Sequence, residues 1–110
     1  MKHTIISVTP ELRIGVDKAI EMERKTAIAM GFDPDSPEDP CTKEMLPLQE
    51  RLKSDEVDLS DQEVSLLRYL LSEYQGYLEG RLDIPLVPAS YTKKVRESLA
   101  FVSNFLETLS

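Results

Sequence analysis

Cysteine is nearly absent from this sequence. Cys41 stands alone, so no intramolecular disulfide can form and no multi-cysteine metal site can be built. Histidine is as scarce: with only His3, a multi-histidine metal site is out of reach and a catalytic triad has one residue to draw on. Tryptophan is missing and Tyr and Phe together are few, which leaves the core to Leu, Val, Ile, Met and Ala. No stretch approaches the roughly 20 apolar residues that span a bilayer, so no membrane role is expected. The opening Met1–Val8 has too short an apolar run for a signal peptide and no small-residue cleavage site. A reducing, cytoplasmic location is the expectation.

Basic residues are also in deficit: 13 Lys and Arg face 20 Asp and Glu, a net charge of −7. A non-specific nucleic-acid binder needs a basic footprint, so direct nucleic-acid binding is not expected. The deficit is local. Residues 31–63 hold eleven acidic residues and three basic ones (Lys43, Arg51 and Lys53), and the remainder is close to neutral.

What is present reads as helix. The 110 residues suit a single domain, 1–110, large enough to bury a core without disulfides or metal. Thr9-Pro10-Glu11 is a helix start: a cap, a residue with its φ preset, and a carboxylate at the positive dipole end. Leu12, Val16, Ala19, Ile20, Ala27 and Met30 then recur with helical spacing, and Gly31 provides a left-handed stop. The spacing predicts helix 1 over 10–30. Phe32–Pro40 carries three prolines and is read as a stiff acidic loop. A short helix is expected within 42–53 on Met45, Leu48 and Leu52, with Pro47 delaying its start to near Leu46. Ser60-Asp61-Gln62-Glu63 fits the capping box and opens a helix over 61–82 on Val64, Leu67, Leu71, Tyr74 and Leu78. Ile84–Pro88 breaks the pattern. Ser90 is the expected cap of a last helix over 91–109, with Val95, Leu99, Val102, Leu106 and Leu109 on its stripe. Leu71, Leu99 and Val102 are predicted core.

The fold class predicted is all-α: a small three- to four-helix bundle with a Pro-rich acidic loop between helix 1 and the later helices. The apolar arcs of the last two helices are wide, so each needs two neighbours, and a homodimer or higher oligomer through part of those arcs is expected. Thr4–Val8 is read as an extended arm without an obvious strand partner.

Candidate chemistry is thin. Cys41 with His3 would make a nucleophile–base pair, against the plainer reading of a surface thiol and a terminal histidine. Asp33, Asp35 and Glu44 match positions one, three and twelve of a calcium loop, but Glu38 replaces its turn glycine and Pro37 offers no side-chain oxygen. The pairs Glu21/Glu23 and Asp61/Glu63 are two apart and point to different sides of a helix, and Glu79 and Asp83 straddle a helix end. No metal site and no cofactor are expected. Glu23 lies within the apolar arc of helix 1, where it needs a partner such as Arg68 or a helix only partly covered. Gly76 and Gly80 mark either a close backbone approach or a frayed last turn.

Two surface groups stand out. Asp33, Asp35, Glu38 and Asp39 form a protein-partner candidate for a basic surface. Ser90, Lys93, Lys94 and Arg96 put hydroxyl and cations at the start of the last helix, a candidate for phosphate or carboxylate. The function expected is non-enzymatic: a small helical interaction protein acting as regulator, inhibitor, adaptor or assembly factor, a profile shared with phage and mobile-element accessory proteins. The alternative is a helical-oligomer small-ligand or nucleotide-binding protein, or a metal-dependent nucleotide hydrolase, using Lys93, Lys94 and Arg96.

Overall fold

A computed structural model of the protein describes residues 3–84 and 88–109. The chain is mostly helical. β1 (His3–Ser7) leads into α1 (Pro10–Ala29); a π-helical turn (Cys41–Met45) runs into α2 (Leu46–Arg51); β2 (Glu56–Ser60), α3 (Asp61–Leu82) and α4 (Ala89–Thr108) follow. Pro85–Val87, part of the predicted break before the last helix, lies outside the described residues.

The all-α reading holds in the main, and a small two-stranded sheet adds to it. β1 pairs antiparallel with β2 in an unbroken register from His3↔Ser60 to Ser7↔Glu56. The arm therefore has a partner. In β2, buried Val57 and Leu59 alternate with exposed Glu56 and Asp58, the period of a half-buried strand. Together with Ile6 and Val8 they close one side of the core.

α3 is the central element and touches α1, α4 and both strands. Its start is fixed by the predicted capping box: Glu63 donates its N–H to the Ser60 hydroxyl while a Glu63 carboxylate oxygen accepts the Ser60 N–H. Leu67, Leu70, Leu71, Tyr74 and Leu78 are all buried within the chain. α1 begins with Thr9 accepting the Leu12 N–H and lies close to α3 at Gly15, where a methyl group would already touch Leu71 and Tyr74 at 3.4 Å. Such close approach was one reading of Gly76 and Gly80. Both are instead exposed, with nothing within 4 Å of an added Cβ, and the helix continues past them to Leu82.

Three helical expectations shift. The buried residues of α1 end at Ile20; Ala27 is half-buried and Met30 exposed, so the helix is only partly covered. α4 begins at Ala89 with Pro88 in the cap position, so Ser90 lies inside the first turn and does not cap it. Leu99 is only partly buried, unlike Leu71 and Val102. α2 proper begins at Leu46, as Pro47 requires: its ring nitrogen cannot donate to the preceding turn, which widens into the π form.

Candidate functional site

The C-terminal end of α1 and the loop after it form the most distinctive surface. Gly31 adopts φ 85°, and the reversal closes through Gly31 N–H to the Ile28 carbonyl at 3.0 Å and Phe32 N–H to the Ala27 carbonyl at 2.9 Å. That double closure is the Schellman arrangement, which needs a residue content with positive φ. Around this end Ile28, Met30 and Phe32 are 62%, 66% and 60% exposed. Ile28 and Met30 lie on opposite sides of the helix, so the apolar surface wraps the tip.

Short local bonds then hold the acidic loop. Asp33 accepts the Asp35 N–H at 3.0 Å, Asp39 accepts the Cys41 N–H at 2.9 Å, and the Thr42 hydroxyl donates to the carbonyl of buried Pro34 at 2.6 Å. Arg24 reaches from α1 to Asp35 at 2.7 Å. Of the four predicted partner residues, Asp33, Asp35 and Glu38 are exposed and Asp39 half-buried. All four lie on the loop that follows directly from Phe32 at the apolar tip.

Cys41 is a correction. The π-helical turn carries it into the core, not onto the surface, and burial together with a hydrogen bond to Asp39 pushes its thiol up to about 11. A thiol in that state is a poor nucleophile at neutral pH. Nearby, half-buried Glu23 meets Tyr69, not Arg68: the phenol donates to Glu23 Oε1 at 2.8 Å. That bond, with burial, raises the Tyr69 hydroxyl to about 12.

The positions that imitate a calcium loop are not gathered. Glu44 lies apart from Asp33 and Asp35, in a cleft of about 540 Å³ between the start of α2 and the start of α3, shared with Pro47, Leu48, Asp61, Glu63 and Leu66. Burial pushes the Glu63 carboxyl up, but the Ser60 hydrogen bonds and the Arg51 guanidinium at 2.7 Å outweigh it and leave it below the ordinary value. Among the described residues no group of three His, Cys, Asp or Glu side chains is placed to hold a metal ion.

The predicted anion group is divided. Lys93 and Arg96 line a shallow depression of about 600 Å³ on α4 together with Thr92 and the Glu97 carboxylate, and Lys94 does not line it. Ser90 is exposed one turn earlier. Charge in this depression is therefore mixed rather than uniformly cationic.

Sequence reasoning missed the exposed tip and one positioning residue. Ile28 sits opposite the buried stripe of α1, the signal that marks an apolar side chain the core does not use. Arg13 donates from Nε to the Leu52 carbonyl at 2.8 Å and from Nη2 to the Ser54 carbonyl and to Asp55, placing a cation at the negative end of α2. Nothing local in the sequence couples residues 13 and 52. Among the described residues no helix is long and apolar enough to cross a membrane. No protein-family model, no curated protein and no solved structure matches the chain.

Proposed function

We propose that the chain is a non-catalytic interaction protein that docks a basic protein partner on the end of α1 and the acidic loop. One observation carries the reading. Three large apolar side chains, Ile28, Met30 and Phe32, stand exposed beside Asp33, Asp35, Glu38 and Asp39. Apolar residues left outside a core that is otherwise filled are what a docking surface offers, and a charged rim steers the encounter. The loop is already held by Arg24, Thr42 and its own backbone bonds, so binding has little ordering left to do.

The test begins with a partner recovered from an extract of the source organism and then purified. Changing Asp33, Asp35, Glu38 and Asp39 to their amides keeps the oxygens that accept the loop's N–H groups but removes the charge. Association should slow at low salt and recover much of its rate difference at high salt. Phe32→Ser should chiefly speed dissociation. If both variants bind the purified partner at wild-type rates across that salt range, the surface is not the docking site.

A further inference from the structure

The two outer edges of the small sheet are not alike. Val8 donates its N–H to the Asp55 carbonyl at 2.7 Å, which fixes the alternation of the ladder. Thr4, Ile6 and Val8 turn their backbone groups towards β2, and Ile5 and Ser7 turn theirs away. On β2 the outward residues are Glu56, Asp58 and Ser60, and side chains of the same molecule hold two of their groups. Arg51 donates to the Asp58 carbonyl at 2.7 Å, and the Ser60 N–H goes to Glu63 at 3.0 Å. On β1 the backbone groups of Ile5 and Ser7 meet no partner among the described residues.

This free edge also lacks the devices that keep edges apart. Between His3 and Ser7 there is no Lys, Asp, Glu or Pro, the register has no bulge, and Ile5 is 69% exposed. Its neighbours one strand away, Glu56 and Asp58, are acidic.

We propose that β1 is the self-association edge: two copies pair antiparallel through His3–Ser7 about a twofold axis at Ile5, giving a four-stranded sheet in the order β2-β1-β1-β2. An axis at Ile5 sets a hydrogen-bonded pair at the centre and uses the outward groups of His3, Ile5 and Ser7 together. Ile5 then faces Ile5 of the second copy, and Ser7 pairs with His3 on both sides of the axis. A second copy suits the edge because most of its surface, at a net charge of −7, repels its own kind, and this uncharged strand does not. A basic partner finds no carboxylate on β1 itself. Arg51 on the Asp58 carbonyl and the acidic Glu56 and Asp58 disfavour pairing through the β2 edge, so the assembly closes at two copies. Of the two helical arcs that the sequence suggested for self-association, that of α3 is buried within its own chain.

Sedimentation equilibrium on the full chain at tens to hundreds of micromolar tests the proposal. The mass should approach twice the 12.5 kDa of one chain. Ile5→Lys sets two like charges against each other at the axis, and Ser7→Pro deletes an outward N–H without touching the β1–β2 ladder. Each should weaken association at least about tenfold while leaving the melting curve of the monomer intact. Amide exchange at Ser7 should slow with rising concentration in the wild type and not in Ile5→Lys. A wild-type chain that stays at 12.5 kDa overturns the proposal, as does a dimer that both variants form as readily as the wild type.

Discussion

The Tyr69 hydroxyl donates a 2.8 Å hydrogen bond to Oε1 of Glu23, joining α3 to the less covered half of α1 across 46 residues of sequence. Glu23 lies in the apolar arc of α1, and the phenol supplies its carboxylate with a donor there. Removing the hydroxyl in Tyr69→Phe should cost about 0.5 kcal/mol, the low end for a hydrogen bond, because the pair is partly exposed. Urea denaturation measures this. The phenol should also titrate at about 12 rather than its ordinary 10.0, and Glu23→Gln should bring it back towards 10.0 in an ultraviolet titration. A raised folded value means that this contribution is complete below pH 10 and disappears as pH rises through 12. A tyrosine population ionising wholly near pH 10 would refute the contact.

Cys41 should be inert in the folded chain. A rise from 9.0 to about 11 leaves about a hundredfold less thiolate at neutral pH, and burial adds a steric barrier. A thiol reagent at pH 8 should label the native protein at least about a hundredfold more slowly than the chain in urea. Immediate labelling of the folded protein would place the thiol at the surface.

How much of this was legible depends on distance along the chain. The helix starts at Thr9 and Ser60 and the stop at Gly31 are local signals, each satisfied within a few residues, and the structure uses all three. β2 was lost because Glu56–Ser60 offers only two apolar residues, and its role depends on Ile6, some fifty residues earlier. Register of that kind has no local signature. The same limit hid the Tyr69–Glu23 bond and Arg13 at the end of α2. The acidic cluster was visible as composition, but the exposed tip beside it appears only once α1 is seen to outrun its neighbours.

Core burial distinguishes three leucine and valine positions on the two C-terminal helices. Leu71 and Val102 are sealed inside, whereas Leu99 retains some exposure. Leu71→Asp and Val102→Asp should each abolish the cooperative thermal transition, since a buried unpaired charge exceeds what a typical margin of about 5–15 kcal/mol readily absorbs. Leu99→Asp should still melt cooperatively, at a lower temperature. Equal damage from all three would mean that α4 is packed more deeply than described.

Acid should loosen the start of α3. The Glu63 carboxyl sits below its ordinary value, so its contribution is present above pH 4.5 and falls away as pH drops through the lower folded value. Glu63→Gln keeps an acceptor for the Ser60 N–H but loses the charge facing Arg51. Wild type and variant should therefore differ in melting temperature near pH 7 and converge towards pH 3. A constant difference across that range would assign the effect to shape rather than charge.

Glycine substitutions should act in opposite directions at two places that look alike in sequence. Gly76 lies inside α3, exposed, with open space where a Cβ would go. Gly76→Ala therefore adds no clash and removes unfolded-state freedom, and should stabilise by about 0.5–1 kcal/mol. Gly31 also has open space around it, but its φ is 85°. There an alanine methyl group strains against its own backbone, so Gly31→Ala should destabilise by about 1 kcal/mol although it meets no other residue. Asn tolerates the left-handed region better, so Gly31→Asn should recover part of the loss. The three variants, compared by urea denaturation, separate backbone strain from packing. If Gly31→Ala proved as stabilising as Gly76→Ala, the chain would not reverse through a left-handed residue, and the path from α1 into the acidic loop would need another geometry.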